Sequence, residues 1–307
     1  MKEKIDIIFV YWKTDIFVKK CVEQYLKTKF DNFNIYIVDN TRKSKDKLES
    51  YFNSEKVHVI PGAKYKEKMS DNQAGRHHPR GLEEGLKRTS SKYVAISHCD
   101  CWPIDVNWAE KCLGYLHGDR IKMVGLQHSS SLHASFHFFK REMLTDINYR
   151  YDKKKMSFGD NKSKLKKYVK YPEVVKPSRT RWDWGENLAI KLYKEKYSTI
   201  GINPTKGFAP YGRYKNKKYN HEPNTWENLG QDGYGCVYGD MFFHVWKTYR
   251  KNEEVNKYMK MYEQDEYMNR YYHTNEECDN IVVNNSVHDN SYYKFFNNFK
   301  YKEDNCV

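Results

Sequence analysis

The segment KYVAISHCDCWP at 92–103 places two metal-binding types of side chain at the end of an apolar run. His98 and Asp100 are two residues apart, so they lie on the same face of an extended strand. A carboxylate beside an imidazole suits Mg²⁺ or Mn²⁺ bridging two phosphate groups, because the cation neutralises their charge. Strands that end in Asp are common, so the segment by itself leaves a surface carboxylate open.

Three further carboxylates stand where they could do chemistry. Asp39 ends the run IYIVD, where it can accept hydrogen bonds from a base or a ribose, or form a turn with Asn40. Asp183 and Glu186 are three residues apart in WDWGEN, on neighbouring positions of one helix face. Either could remove a proton from an attacking hydroxyl, but the same pair also fits a helix-capping box.

Strands and helices alternate along the chain and would position these residues. The predicted strands lie at 5–11, 35–39, 56–60, 92–99, 122–127, 135–140 and 198–202. The predicted helices are capped by Asp15 and by Asp105, or lie at 44–52, 79–89, 141–147, 183–197 and about 252–275. This alternation predicts a mostly parallel sheet covered on both faces, and such sheets bind ligands beyond the carboxyl ends of their strands.

Two segments lack the periodicity of a helix or a strand. The Lys-rich stretch from Tyr151 to Ser178 holds two Pro and predicts a mobile, solvated loop. The stretch 207–239 is rich in Gly, Tyr and Asn and predicts irregular structure that leads into MFFHVW at 241–246. We found no internal repeat.

Charge and length restrict the class of protein. The 307 residues suffice for one large domain with a buried core, and the formal net charge is +14. A basic chain favours an anionic partner such as nucleic acid, acidic lipid or a phosphorylated donor. The Lys residues are scattered and no nucleic-acid-binding motif is present, so we expect no nucleic-acid partner.

Cysteine usage and hydropathy indicate a compartment. The seven Cys are an odd number without a Cys-x-x-Cys pair, which predicts reduced thiols. Cys99 and Cys101 bracket Asp100, and two thiols alone cannot complete a tetrahedral zinc site. The sequence has no run of about 18 apolar residues and no pattern of a secretory signal, so we expect a cytoplasmic protein without a membrane span.

Five segments, taken in order, resemble the inverting family-two glycosyltransferases of GT-A fold. They are IIFVYW (7–12), IVDNT (37–41), HPRGLEEGL (78–86), SHCDCWP (97–103) and WDWGENLAIKL (182–192). The resemblance covers roughly residues 1–250, and its specificity lies in the order and spacing of all five, since each motif is degenerate. It implies an α/β, Rossmann-like GT-A fold with a mostly parallel central sheet and flanking helices.

The resemblance also implies roles for residues of the donor site. Tyr11 would stack on the nucleotide base and Asp39 would hydrogen-bond to it. Arg80 would face the donor phosphates. Asp100 matches the last carboxylate of the family's Asp-x-Asp element, which binds the metal or the donor ribose. His98 stands where the first carboxylate is usual, and a neutral imidazole supplies less charge to a cation.

The remaining implied roles concern the base and a third metal ligand. Glu186 is the first choice for the catalytic base and Asp183 the second, since the family's Glu-Asp pair here reads Glu186-Asn187 and an amide cannot act as a base. His244, in GDMFFHVWKTYR, resembles a late His that reaches back to the metal or diphosphate in many GT-A enzymes. The alternative for His244 is a packed core residue.

We therefore predict a GT-A domain over 1–250 and a helical C-terminal extension over 251–307. Within the domain, 1–103 would bind the nucleotide sugar and 104–250 the acceptor. The predicted activity is transfer of a sugar from a nucleoside-diphosphate sugar to an acceptor hydroxyl, with inversion and Mn²⁺ or Mg²⁺ as cofactor. The alternatives are a retaining GT-A glycosyltransferase and a non-catalytic nucleotide- or nucleic-acid-binding protein.

Overall fold

The computed structural model describes most of the first half of the chain and several segments of the second half. The described residues are 3–64, 74–116, 120–128, 131–146, 188, 192, 195, 197–202, 204–207, 235–239, 241–245 and 281–284.

The N-terminal part alternates strands and helices, as the sequence predicts. Its strands are β1 (Ile5–Tyr11), β2 (Phe33–Asp39), β3 (Val57–Pro61) and β4 (Tyr93–Ser97), and its helices are α1 (Asp15–Leu26), α2 (Lys45–Glu49) and α3 (Ala74–Arg88). All residues of β1 and β4 are buried, which explains why their sequences are apolar apart from Asp6 and Ser97, since strands covered on both faces need no polar side.

The later part is richer in strands. Its strands are β5 (Cys101–Pro103), β6 (Ile121–His128), β7 (Ser131–Lys140), β8 (Ser198–Ile202), β9 (Pro204–Gly207), β10 (Gly235–Tyr238), β11 (Phe242–Val245) and β12 (Ile281–Asn284). Its helices are α4 (Trp108–Tyr115) and α5 (Glu142–Asp146). The strands predicted near 122–127, 135–140 and 198–202 are thereby confirmed.

Eight strands form the central sheet in the order β12-β8-β6-β7-β4-β1-β2-β3. Four neighbouring pairs are parallel, namely β1 with β2, β1 with β4, β2 with β3 and β6 with β8. The other three pairs are antiparallel, namely β4 with β7, β6 with β7 and β8 with β12. The sheet is therefore mostly parallel. Strand order changes direction between β1 and β4, where the carboxyl ends of strands leave a crevice for ligands.

A second, antiparallel sheet has the order β5-β11-β10-β9. The sequence did not predict it: Cys101–Pro103 was expected only as the end of a strand, and residues 235–238 were expected to be irregular. Both segments are short and gain their strand conformation from pairing, since β5 pairs with the distant β11, and β10 pairs with β9 and with the adjacent β11. Local composition does not reveal such pairings.

Apolar side chains cover both faces of the central sheet. Ile7 and Phe9 of β1 belong to a buried cluster with the apolar side of α1. Ile8 and Val10 belong to a second cluster with Leu82 of α3. Alternate residues of one strand thus face helices on opposite sides, as expected for a three-layer α/β protein.

Two predicted helix caps are displaced by one or two residues. The N-cap of α1 is Thr14, and Asp15 is the first helical residue. The N-cap of α4 is Asn107, whose backbone N–H donates to Asp105 Oδ1 at 2.8 Å. In both cases the Asp lies at the positive end of the helix dipole but does not occupy the cap position.

Several predictions fall largely outside the described residues. The mobile loop 151–178 and the helix at 252–275 lie entirely there, and of the helix at 183–197 only Leu188 and Leu192 are assigned as helical. Within the predicted helical extension 251–307, the described segment Ile281–Asn284 is a strand, because it pairs with the edge strand β8. No helix in the described part of the chain is long and apolar enough to cross a membrane.

Candidate functional site

Asp100 lies in a tight connection between the two sheets. β4 ends at Ser97, and the backbone N–H of Cys101 donates to the carbonyl of His98 at 3.1 Å, which turns the chain into β5. The N–H of His98 donates to the carbonyl of Ser135 at 2.8 Å and so ties this turn to β7. The turn presents His98 and Asp100 at the carboxyl end of β4.

His244 reaches the same place through strand pairing. In the register of β5 with β11, His244 lies opposite Cys101, the residue that follows Asp100. Its Nε2 atom is 3.5 Å from Asp100 Oδ1, and Nδ1 of His98 is 3.7 Å from the same oxygen. The structure thus brings together the three residues that the sequence proposed as metal ligands.

The spacing of these three side chains fits a shared cation. One ligand atom from each lies within 4.8 Å of the others. Ligands about 2.0 to 2.3 Å from one ion are about 3 to 4.5 Å from one another, so the donor atoms need to move only slightly to share an ion. The side chains of Asp100 and His244 are 14% and 4% exposed, so most of the solvation of a bound ion would come from the protein and its ligand.

Two further histidines surround this group, and the sequence analysis did not select them. The ring of His78, from α3, lies 4.9 Å from that of His98. The ring of His133, from β7, lies 5.3 Å from that of His244 and 6.2 Å from that of His98. The sequence could have indicated His78, because it begins the segment HPRGLEEGL. For His133, the alternation in SLHASFHFFK indicates only that it shares a strand face with Ser135.

Burial favours the neutral, metal-binding form of two of these imidazoles, those of His98 and His78. Burial of most of the His98 ring lowers its pKa to about 4; the Asp100 carboxylate opposes this shift and His244 adds to it. Burial also lowers the pKa of His78 well below its usual value, with a further contribution from His98. Neutral imidazoles can coordinate a cation without first losing a proton.

Asp39 is buried at the end of β2, beside Tyr11 in the register with β1. Its Oδ1 accepts hydrogen bonds from the backbone N–H of Thr41 at 2.9 Å and from the Thr41 hydroxyl at 2.6 Å. Its Oδ2 accepts one from the N–H of Ser44 at 2.8 Å. These bonds hold the turn into α2 and leave one acceptor position on Oδ2, because an ionised carboxylate has about four acceptor positions.

The ring of Tyr11 packs in the core and is 2% exposed. Its hydroxyl donates to Asp15 Oδ1 at 2.8 Å, and burial followed by this hydrogen bond raises the pKa of Tyr11. Asp15 is also 2.9 Å from Nζ of Lys47. Stacking of Tyr11 on a base stays a prediction, and it requires the ring to leave this packing.

Arg80 lies in α3, which approaches the ends of β1 and β2 closely. A Cβ atom on its neighbour Gly81 would lie 2.7 Å from Cγ1 of Val10 and 2.9 Å from Oδ1 of Asn40. Val10 and Asn40 are next to the last residues of their strands, so the segment carrying His78 and Arg80 borders the carboxyl edge of the sheet. The phosphate-binding role of Arg80 stays a prediction.

The two candidate bases, Asp183 and Glu186, lie outside the described residues. Leu188 and Leu192, from the same predicted helix, are fully buried and join the cluster that contains Ile8 of β1. Both leucines are assigned as helical, and the remainder of the predicted helix lies outside the described residues.

The fold and the site define a GT-A α/β protein with a candidate cation site at the carboxyl edge of its sheet. The chain belongs to glycosyl transferase family 2, whose sequence profile matches residues 7–169, slightly more than half of its length. This match includes β1 to β7 and the Asp100 turn. A search of curated protein sequences gives no match.

Solved structures that resemble the chain do so over about half of its length. The mannosyltransferase PcManGT from Pyrobaculum calidifontis, solved with GDP-Man and Mn²⁺, is 12% identical, with a TM-score of 0.40 over 50% of this chain and 49% of that one. TarS 1-349 of S. aureus with UDP-GlcNAc is 12% identical, with a TM-score of 0.38 over 48% of each chain. Glucosyl-3-phosphoglycerate synthase from Mycobacterium tuberculosis with Mn²⁺, UDP and glucosyl-3-phosphoglycerate is 12% identical, with a TM-score of 0.34 over 47% and 59%. The chain thus spans about half of the length of PcManGT and TarS.

Proposed function

We propose that the protein transfers a sugar from a nucleoside-diphosphate sugar to an acceptor hydroxyl, with inversion at the anomeric carbon. The observation that carries this proposal is the group of His98, Asp100 and His244 at the carboxyl edge of the sheet of a family-two chain. Ligand sites of open α/β sheets lie at this edge. The group joins two imidazoles to a carboxylate, a donor set that suits a divalent cation and not an organic substrate alone.

The cofactor in this proposal is Mn²⁺ or Mg²⁺, held by Asp100, His98 and His244. A divalent cation bound there would neutralise the negative charge of the departing diphosphate. Asp100 is mostly buried, so its carboxylate is held in place by the turn between β4 and β5. The residues present fit such an ion in number, spacing and protonation state.

The remaining donor contacts come from the neighbouring strand ends. Asp39, held by Thr41 and Ser44, would accept hydrogen bonds from the base or the ribose. Tyr11 would contact the base, and Arg80 would place its guanidinium against the phosphates. A guanidinium suits this role because its planar donors match phosphate oxygens in pairs.

The acceptor hydroxyl would lose its proton to Glu186, or to Asp183, as it attacks the anomeric carbon. The bond from that carbon to the diphosphate oxygen breaks on the opposite face, and the sugar inverts. One carboxylate suffices for this step, because no covalent intermediate on the protein is needed. A retaining transfer is the alternative for the same fold, and NMR of the product anomer distinguishes the two.

A donor screen tests the proposal. Hydrolysis or transfer from UDP-, GDP- and dTDP-sugars is measured with Mn²⁺ for the wild type and for Asp100→Ala. We expect turnover of at least one donor by the wild type and its loss in the variant. Normal turnover by Asp100→Ala would show that this site takes no part in the reaction. If no donor is turned over or bound in calorimetry, while polynucleotides bind with steep salt dependence, the protein is a binding protein instead.

A further inference from the structure

We infer that Ser97 and Cys21 are positioning residues, which hold the turn that carries Asp100 in place. The inference rests on the proposed function where it concerns catalysis, but the rigidity of the turn can be measured without a donor or an ion. Neither residue belongs to the group of His98, Asp100 and His244. Both act on Asp100 through the backbone of the turn.

Residues 98–101 form a four-residue turn whose backbone places Asp100. The N–H of Cys101 donates to the carbonyl of His98 at 3.1 Å, so His98 is the first residue of the turn and Asp100 the third. A shift at either end of the turn would move the Asp100 carboxylate relative to the ring of His244. The carbonyls of His98 and Cys101 bracket Asp100, and hydrogen bonds to them fix its position.

Two buried donors converge on these carbonyls. The hydroxyl of Ser97, at the end of β4, lies 2.8 Å from the carbonyl oxygen of Cys101 and 3.2 Å from that of His98. The thiol of Cys21, in α1, lies 3.0 and 3.7 Å from the same two oxygens. Each side chain has one proton to donate, so the shorter contact of each identifies the Cys101 carbonyl as the shared acceptor, and its two lone pairs can accept both.

The Cys101 carbonyl needs donors from outside the small sheet. Cys101 begins β5, which is at the edge of that sheet in the described part of the chain and so has a strand partner on one side only. A buried carbonyl without a donor would lose its hydration and gain nothing in return. Burial raises the pKa of the Cys21 thiol well above its usual value, so the thiol keeps the proton that it donates.

A further thiol fixes the middle of the turn. Cys99 donates from Sγ to the carbonyl of Val10, in β1, at 3.5 Å. The turn is thus bound to β4 through Ser97, to α1 through Cys21 and to β1 through Cys99. A displacement of about 1 Å in a catalytic group can lower the rate about a hundredfold, so these bonds matter for the position of the carboxylate as well as for stability.

Hydrogen exchange measures the rigidity of the turn. The amide of Cys101 closes the turn, and its exchange is followed by NMR. We expect exchange about tenfold faster in Ser97→Ala and about a hundredfold faster in Ser97→Ala/Cys21→Ala, because either donor alone still satisfies part of the Cys101 carbonyl. Unchanged exchange at Cys101 in the double variant would overturn the inference.

Thr28→Val is the matched control for the loss of a buried hydroxyl. The Thr28 hydroxyl also donates to a backbone carbonyl, that of Val106 at 2.8 Å, but just after the end of α1. We expect exchange at Cys101 to stay within about twofold of the wild type in this variant. An equal acceleration by Thr28→Val would show a general loss of stability and would overturn the positioning role.

The catalytic part of the inference is tested by separating kcat from KM. In Ser97→Ala/Cys21→Ala we expect kcat to fall about a hundredfold and the KM for the donor to stay within about twofold, because a displaced Asp100 weakens stabilisation of the departing diphosphate more than binding of the donor. In Ser97→Ala/Cys21→Ser a hydroxyl replaces the thiol as donor, and kcat should be about tenfold higher than in Ser97→Ala/Cys21→Ala. Equal kcat in these two double variants would contradict the role of the hydrogen bond.

The failure of this inference differs from the failure of the proposed function. If the wild type turns over no donor, the proposed function fails, and exchange at Cys101 alone decides whether Ser97 and Cys21 hold the turn. If the double variant has faster exchange but the kcat of the wild type, the proposed function stands and the positioning role is overturned. If the double variant does not fold, Ser97→Ala and Cys21→Ala are compared singly, each with an expected change of about threefold or more in exchange and in kcat.

Discussion

Two buried carboxylates at opposite edges of the central sheet have contrasting surroundings. Asp6, near the start of β1, is 1% exposed, and its Oδ2 accepts hydrogen bonds from the N–H groups of Ser90 and Ser91 at 3.0 and 2.7 Å. Arg141 stands 3.6 Å from the same oxygen. Arg141 in turn donates from Nε to the carbonyl of Ser91 at 2.9 Å. The carboxylate is bound by chain segments on both sides of the sheet.

Asp100 is surrounded differently. Its Oδ1 is faced by ring nitrogens of His98 and His244 at 3.7 and 3.5 Å, too far for strong hydrogen bonds. Asp6 accepts hydrogen bonds from backbone N–H groups and faces a guanidinium, which are neighbours typical of a structural acid, whereas Asp100 faces imidazoles, which can share a cation with a carboxylate. The chemical type of the neighbours therefore separates the two acids.

The strongest test of this contrast between Asp6 and Asp100 is the removal of the Asp100 carboxylate. Asp100→Ala should lower donor turnover about a thousandfold, because charge stabilisation at a departing diphosphate contributes several kcal/mol. Its unfolding midpoint in urea should stay close to that of the wild type. Loss of folding together with loss of turnover would mean that Asp100 is a structural residue like Asp6.

The converse substitution is Asp6→Ala. It leaves the guanidinium of Arg141 and two backbone N–H groups without their carboxylate, so we expect a loss of about 3 kcal/mol in the free energy of unfolding. Turnover per folded molecule should not change. Urea denaturation and activity measured at low denaturant check both statements, and a selective effect of Asp6→Ala on catalysis would contradict the division between the two edges.

His137 lies on β7, which runs between these two edges. The pH dependence of folding stability at this residue gives a further test. His137 is fully buried, and burial, with a smaller effect of His98, lowers its pKa to about 3. Between pH 6.5 and 3 the unfolded chain binds a proton that the folded chain does not, so this group reduces stability as pH falls, by about 1.4 kcal/mol per pH unit. Above pH 6.5 its contribution is constant.

His137→Gln should flatten the acid side of the stability profile by that slope. Denaturation midpoints measured at pH 4.5, 5.5 and 7 provide the comparison. Parallel profiles for wild type and His137→Gln would show that His137 is not held neutral by the fold.

The smallest expected effect concerns the packing that positions α3. In Gly81→Ala the new methyl group would meet Val10 and Asn40 at 2.7 and 2.9 Å, which should cost about 1 kcal/mol after the helix preference of Ala is included. Gly114→Ala in α4 meets nothing within 4 Å and should be stabilising by about 0.5 kcal/mol. Of these two variants, we expect only Gly81→Ala to raise the KM for the donor. An unchanged KM would mean that α3 does not position the donor.

The sequence predicted the parts of the fold that depend on local patterns. The β-branched runs of β1, β2 and β4 and the three-to-four spacing in α1 reflect burial of nearby side chains, and the structure confirms them. The small sheet was not predicted because Cys101–Pro103 becomes a strand through the distant β11, and Gly235–Tyr238 lies in a Gly- and Tyr-rich stretch without strand alternation.

The site was predicted unevenly for the same reason. His98 and Asp100 are two residues apart on one strand end, so the pattern reveals their proximity. His244 was selected by resemblance, and only the pairing of β11 with β5 explains why it lies beside Asp100. His78 and His133 lie in α3 and β7, and only the tertiary structure brings their rings next to that of His98.

The pairing of β5 with β11 also has a consequence for biosynthesis. His244 is made 144 residues after Asp100, so during synthesis the turn that carries Asp100 emerges from the ribosome long before this candidate third ligand. If the three residues bind a cation as proposed, its affinity reaches the final value only when β11 has docked. Metal binding would then follow, and not guide, the folding of the N-terminal strands.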